Sequence, residues 1–370
     1  MPRPLLRCAA AALALAGAVG LLGACASSNP YYDPAKPHHT PTGFRNNDIG
    51  TVSKSLGDLV RWFSARGRKS DVPPAPTPAV APDLVALQAN ARAGTQMQPT
   101  ATWIGHATLL VQASGLNVLT DPIFSERASP VSFFGPKRLQ PPGVALADLP
   151  HIDVVVISHN HFDHLDRDSV AQLAAQAGGP PLFLVPLGIK PWLNALAITN
   201  VVELDWWQSH TVGNAEFVLT PVQHWSGRSP ADRHHTLWGG WAVFGADFQW
   251  YFSGDTGYSH DFVKTRAHFA ERQRDGGFDL AMIAIGAYEP NWFMKDQHVN
   301  PREAVQIHQE LGARHSIGMH WGTFDLSDEP LDQPPRDLAA ERKRQGVADT
   351  AFEVLAIGQT RQLPRRGSGS

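Results

Sequence analysis

The stretch DVVVISHNHFDHLD, residues 153–166, constrains this chain more than any other. Its first half is apolar and largely β-branched, which suits a strand buried on both faces. Its second half, SHNHFDHLD, carries three histidines and two aspartates in nine residues. Short apolar strands from about Ala101, some in meanders and some alternating with helices, suggest a layered α/β domain, and in α/β folds sites tend to be built on loops at the ends of strands. Asp166 or Asp168 can cap a following helix that runs to about Gln176 and stops at Gly178–Gly179.

The spacing of the ionisable residues points to metal. His159 and His161, at i and i+2 as the chain leaves a strand, point to one side and can share an ion. Asp163 and His164 lie past the turn and can reach a second ion about 3.5–4 Å away. The bland alternative is a polar loop that happens to be rich in histidine, and the strand before it argues against that. Further ligands should follow strands as well. His224 ends EFVLTPVQH, Asp255 ends FQWYFSGD and His320 ends HSIGMH. Each alone would be an ordinary structural residue, but three in this arrangement are hard to explain so. The chain's two cysteines, Cys8 and Cys25, precede the folded part, which leaves nitrogen and oxygen as the metal donors and no disulfide.

The 370 residues are 43% hydrophobic and 18% charged, enough apolar residues for a real core. The net charge is −3 and there is no basic run, so no nucleic acid partner is expected. At the amino terminus Arg3 and Arg7 precede an apolar run from Cys8 to Ala24, the layout of a signal peptide and short for a transmembrane helix. Its end, LLGAC, resembles a bacterial lipoprotein processing site, which would make Cys25 the lipidated first residue, a tether that does not span the bilayer. No aspartate follows Cys25, which favours the outer membrane and a periplasm-facing place in the cell envelope.

The expected organisation is a lipoprotein-type signal over 1–24, a lipidated amino-terminal spacer and extension over 25–95, a hydrolase domain over 96–362 and a flexible tail over 363–370. Residues 26–45 look like a polar spacer, and DVPPAPTPAVAPD (71–83) looks extended. A hairpin is expected around Ala113–Gly115. NPREAVQIHQELG (300–312) reads as a helix with Asn300 as cap, Pro301 in the first turn, Glu303 completing a capping box and Gly312 as stop.

From about residue 100 to 360 the order of these motifs resembles the metallo-β-lactamase superfamily. The resemblance implies an α/β fold of four layers, an αβ/βα sandwich. It also implies that His159, His161 and His224 hold one metal, that Asp163, His164 and His320 hold the other, and that Asp255 bridges them. Two Zn²⁺ are the implied ions; iron and manganese suit the same donors. The motifs LTDPIFSERASP, GPKR, PVQHWSGR, TLWGGWAVFG, GDTGY, GAYEPNWFMKDQHVNPREAVQIH and MHWGTF narrow the likeness. They are similar to those of the N-acylphosphatidylethanolamine-hydrolysing phospholipase D family, over about Ala101 to Leu331.

That family implies a zinc-dependent phosphodiesterase. A hydroxide shared by the metals would attack phosphorus and release phosphatidic acid and an N-acylethanolamine. Asp121 resembles a family residue required near the metals, where a carboxylate would fix a histidine tautomer. His298 resembles the histidine that hydrogen-bonds the phosphate or protonates the leaving oxygen. Asp163, Asp255, His298 and Asp121 are thus the expected catalytic residues. Some of Trp206, Trp207, Trp225, Trp238, Trp241, Trp292 and Trp321 would wall a groove for acyl chains, though most large aromatics are core. The segment DLVRWF (58–63) would either dock on the bilayer or pack on the main domain.

The implied partners are a phospholipid substrate, the membrane through Cys25, and a second copy of the chain as a homodimer. A lactonase or other ester hydrolase of the same fold is the competing activity. A scaffold without catalysis is the competing class, disfavoured by the intact ligand set.

Overall fold

The structure, a computed structural model, describes residues 28–65, 75–273 and 276–366. The signal segment, Cys25 and the terminal GSGS lie outside the described residues. After a short arm hairpin, β1 (His39–Thr40) and β2 (Gly43–Phe44), and helix α1 (Leu56–Ala65), the chain builds two seven-stranded sheets.

The first sheet contains β3 (Thr100–Gly105), β4 (Thr108–Ala113), β5 (Leu116–Thr120), β6 (Val154–Val156), β7 (Leu182–Pro186) and β8 (Val201–Leu204) in sequence order, with β16 (Thr360–Gln362) outside β3. It is antiparallel up to β5 and parallel from β5 to β8. The second contains β9 (Ser209–Val212), β10 (Ala215–Thr220), β11 (Gly240–Phe244), β12 (Gln249–Phe252), β13 (Leu280–Ala284), β14 (His315–Met319) and β15 (Phe352–Glu353). It turns from antiparallel to parallel at β12.

The apolar run at 154–157 finds the burial its composition demands. Val154 and Val156 enter the core between the sheets, with Leu109 and Val111 on one side and Phe217 and Trp241 on the other. Val155 and Ile157 point the opposite way, against Val170 and Leu173 of α3 (Arg167–Ala174). Strand period two thus fills two cores from one segment. Each such side chain contributes about 1.5–3 kcal/mol on burial. Helices α2 (Leu84–Ala91), α3 and α4 (Lys190–Asn194) cover the first sheet through Leu87, Val170 and Leu193. Helices α5 (Asp261–His268), α7 (Pro301–Glu310) and α8 (Gln333–Gln345) cover the second through Phe262, Val305 and Leu338. The layers run helix, sheet, sheet, helix, the four-layered sandwich expected above.

Local chemistry explains the turns that carry site residues. Asp166 caps α3 by accepting from Ser169 N, and Asn300 and Glu303 form the capping box of α7. Ser114 and Gly115, both at positive φ, close the β4–β5 hairpin.

Two expectations need correction. Residues 26–45 are not a spacer where they are described: Asn29, His38, His39 and Phe44 are buried, and Asn46 after them is 3% exposed. Hydrogen bonding draws this polar segment in, because side chains elsewhere in the fold satisfy its amides and imidazoles. The stretch from residue 75 packs as well, with Thr77 donating to Gly322 O and Ala79 pairing with Ile357. The tail does not begin at 363. Leu363 is buried and Arg366 is bound to Asp279, so apolar burial and an ion pair hold the chain to that point. DLVRWF forms part of α1, where Trp62 stacks on Phe293 of α6 (Asn291–Met294) and Arg61 lies over Trp292. Among the described residues no helix is long and apolar enough to cross a membrane.

Candidate metal centre

Six strands of the two sheets deliver side chains to one point as they end. They bring His106 (after β3), Asp121 (β5), His159–His164 (β6), His224 (β10), Asp255 (β12) and His320 (β14). His298 joins them from the turn between α6 and α7. Three of these residues have left-handed backbones: Asp121 (φ 32°), His106 (φ 54°) and His320 (φ 63°). Such a conformation costs about 1–3 kcal/mol and persists where its surroundings over-determine it. Here they do. His106 N donates to Thr323 Oγ1, His320 N donates to His106 O, and Asp121 N donates to Val156 O.

Two donor sets flank Asp255. In the first, His161 Nδ1 lies 2.8 Å from His159 Nε2 and 3.3 Å from His224 Nε2. In the second, His164 Nε2 lies 3.1 Å from Asp255 Oδ2 and 3.4 Å from Asp163 Oδ2, and His320 Nε2 lies 3.1 Å from Asp255 Oδ1. Asp255 Oδ2 is also 3.9 Å from His159 Nε2 and 3.8 Å from His224 Nε2, so one carboxylate touches both sets.

Hydrogen bonds on the far sides of the rings fix the tautomers. His164 Nδ1 donates to Asp121 Oδ2 at 2.7 Å. The same oxygen accepts from Ser158 Oγ at 2.5 Å, so Ser158 Oγ must in turn accept from His159 Nδ1, 2.9 Å away. His224 Nδ1 donates to the carbonyl of Gln297 at 2.9 Å. A carbonyl only accepts, and a hydroxyl that has spent its proton only accepts. With these rings neutral, as metal ligands must be, the Nε2 atoms of His159, His164 and His224 are lone pairs, and they face other lone pairs and carboxylates. In addition His161 Nε2, His164 Nε2, Asp255 Oδ1, His298 Nδ1 and both nitrogens of His320 are buried without a hydrogen-bond partner. Converging bare donors at this depth are costly unless a cation sits among them. The residues present fit metal, with nitrogen and oxygen donors of the kind zinc takes.

The electrostatics agree. Burial pushes His161, His224 and His298 down to about 3, which keeps these rings neutral and able to ligate. Burial would raise Asp255, but His164, His320 and His298 around it outweigh that and hold it well below the usual range. Burial opposes a charged His164, yet Asp255, Asp163 and Asp121 lift it well above its ordinary value. The pocket draws positive charge in.

All nine residues named from the sequence come together: His159, His161, Asp163, His164, His224, Asp255, His320, Asp121 and His298. The sequence reading missed His106, whose Nε2 lies 3.0 Å from Asp163 Oδ2 and whose ring packs 4.1 Å from that of His320. Burial pushes it down to about 3, so a neutral imidazole donates to Asp163. Nothing in TWIGHATLLVQ marks a strand end at this histidine. Ser158 was missed as well.

Asn160 and Phe162, which alternate with the donors, brace their loop. Asn160 Oδ1 accepts from Gly227 N at 2.7 Å. Arg228 donates to the carbonyls of Asn160 and Leu165 and lies over the Phe162 ring. Most of the tryptophans are core: Trp206, Trp238, Trp241 and Trp321 are buried and donate to backbone carbonyls. Trp225 packs edge-on against His161 at 4.1 Å, and Trp207 stacks on His268.

Comparison with known proteins adds the family context. Residues 116–321 match the model of the beta-lactamase superfamily domain. The chain is 43% identical over 272 residues to the N-acyl-phosphatidylethanolamine-hydrolyzing phospholipase D 1 of Caenorhabditis elegans, covering 70% of this chain and 74% of that protein. It is 37% identical over 342 residues to an uncharacterized protein of Mycobacterium bovis, covering 90% and 87%. Among solved structures it is similar to an isothiocyanate hydrolase from Delia radicum gut bacteria, with a TM-score of 0.56 and 19% identity over 72% of this chain and 99% of that one. That last likeness speaks to the fold alone.

Proposed function

The chain belongs to the metallo-β-lactamase superfamily and, within it, to the N-acylphosphatidylethanolamine-hydrolysing phospholipase D family, and from that membership we propose that this metal-dependent hydrolase cleaves a phospholipid phosphodiester. The observation that carries the chemistry is the carboxylate of Asp255 standing between two sets of bare imidazole nitrogens. The likeness to the nematode phospholipase supports the bond and the substrate class.

His159, His161 and His224 would hold one metal, Asp163, His164 and His320 the other, with Asp255 shared; two Zn²⁺ suit these donors. Bound ions supply an acidified water and positive charge at the phosphoryl oxygens. The chain supplies the rest. Asp121 and Ser158 lock the tautomers of His164 and His159, and so aim one ligand from each set. His298 has a buried free Nδ1 3.9 Å from Asp255 Oδ2, where it can hydrogen-bond a phosphoryl oxygen. Water attacks phosphorus, the bond to the head-group oxygen breaks, and the water's proton ends on that leaving oxygen. Burial would raise Asp163, but His164, His106 and His320 hold it well below the usual carboxylate range, so it stays ionised, as a metal ligand must. The products are phosphatidic acid and an N-acylethanolamine.

In this reading the enzyme works at a bilayer of the bacterial envelope, tethered at Cys25. The test is product analysis after incubation with N-acylphosphatidylethanolamine, ordinary envelope phospholipids and a lactone. Phosphatidic acid release supports the proposal. Lactone opening with the phospholipids intact overturns it.

A further inference from the structure

We propose that Asn46 is a positioning residue of the metal centre, and that the amino-terminal arm carrying it is part of the active site. The proposal rests on the two-metal reading above.

His224 stands beyond the end of β10, where sheet pairing has stopped. Its peptide groups therefore need partners from elsewhere. Asn46 supplies both. Its Oδ1 accepts from His224 N at 2.9 Å, and its Nδ2 donates to His224 O at 2.9 Å. The planar side-chain amide offers donor and acceptor side by side, and so stands in for a neighbouring strand. Oδ1 also accepts from Trp238 Nε1 at 3.0 Å, which fixes the amide's orientation. With its backbone held on both sides and its Nδ1 donating to Gln297 O, the His224 ring has one direction left for Nε2. That direction is toward His161 and Asp255.

Residue type matters here. An aspartate would accept from the amide but set an oxygen against the His224 carbonyl. An alanine would leave both peptide groups buried and unpaired.

The arm is seated at both ends. Beyond Asn46, Asn47 donates to Asp261 and Lys54 pairs with Asp296 at 3.0 Å. Before it, the buried carboxylate of Asp205 receives Lys36 at 2.5 Å, His38 at 2.7 Å and His39 at 3.0 Å. Those hydrogen bonds identify the His38–His39–Asp205 group as a clasp for the arm.

The experiment compares full-length wild type with Asn46→Ala and Asn46→Asp. Zinc affinity is read by chelator competition, and the visible spectrum is read after loading with cobalt(II). The expected result is that one of two metal equivalents weakens about 10- to 100-fold, as loss of an outer partner of a ligand does, and that its cobalt bands shift. Both variants should weaken it, because both lose the donor to the His224 carbonyl, and Asn46→Ala loses the acceptor for His224 N as well. Wild-type affinity and spectrum at both equivalents would overturn the proposal, whatever happens to thermal stability. If neither variant folds, Asp205→Asn serves, since it keeps Asn46 but loosens the clasp. It should weaken the same equivalent several-fold, and no change there overturns the arm's role. A wild-type protein that takes up no metal would instead overturn the two-metal reading, and the proposal with it.

Discussion

His164 Nδ1 donates to Asp121 Oδ2 at 2.7 Å, and this bond ties the two donor sets together. The same oxygen takes the Ser158 hydroxyl, which accepts from His159. A single carboxylate thereby sets the tautomer of one histidine in each set. Asp121→Asn offers an amide where the acceptor stood, so it breaks both links. The expected outcome is a loss of metal affinity of about 10- to 100-fold at both equivalents, measured by chelator competition. An effect confined to one equivalent would mean that Ser158 holds His159 unaided.

Among the described acidic groups His106 acts on Asp163. His106→Phe keeps the ring's bulk and removes the donor to Asp163 Oδ2. It should weaken the second metal about tenfold and leave the first unchanged. His106→Gln, which can still donate, should restore most of the loss. Equal affinities in all three proteins would show that Asp163 needs no outer partner.

His298 is expected to serve catalysis without holding metal. In His298→Gln, kcat should fall about a hundred- to ten-thousandfold with two metals still bound. Elemental analysis decides the matter: a metal lost along with activity would make His298 a ligand.

His308 gives a pH dependence away from the site. Its Nδ1 is 2.7 Å from Ser316 Oγ, and burial between α7 and β14 pushes it from 6.5 down to about 4. The unfolded chain therefore binds a proton that the folded chain refuses. Stability is lost as pH falls below the ordinary histidine value, and the loss levels off near the folded one. Between about pH 7 and about pH 5 this amounts to about 2 kcal/mol. Urea unfolding of chelated protein should show His308→Gln losing that much less than wild type over this range. Parallel losses would mean that His308 titrates normally.

Much of this molecule is legible in its sequence, for physical reasons. A β-branched run buried on both faces with histidines at its end marks a site at that strand end, whereas the four-layered sandwich and the two ligand sets followed from the family resemblance. The capping box at Asn300 is purely local, as is the hairpin turn at Ser114–Gly115. His106 escaped because TWIGHATLLVQ reads as one continuous strand. The left-handed turn that breaks it depends on Thr323, more than two hundred residues away. Asn46 escaped for the same kind of reason. A polar segment rich in proline and asparagine looks solvated, and only the folded partner at His224 shows that its amide is taken. The tryptophans are mostly core, as large aromatics usually are: their indole N–H groups find backbone carbonyls there, while Trp225 packs against His161.

Metal-dependent hydrolysis should break the phosphodiester on its head-group side. Turnover of N-acylphosphatidylethanolamine in heavy-oxygen water, with mass spectrometry of both products, tests it most directly. Phosphatidic acid should carry one solvent oxygen and N-acylethanolamine none. Turnover should cease after chelation and recover with zinc. Solvent oxygen in the N-acylethanolamine, release of free fatty acid in place of phosphatidic acid, or full turnover by metal-free protein would contradict it.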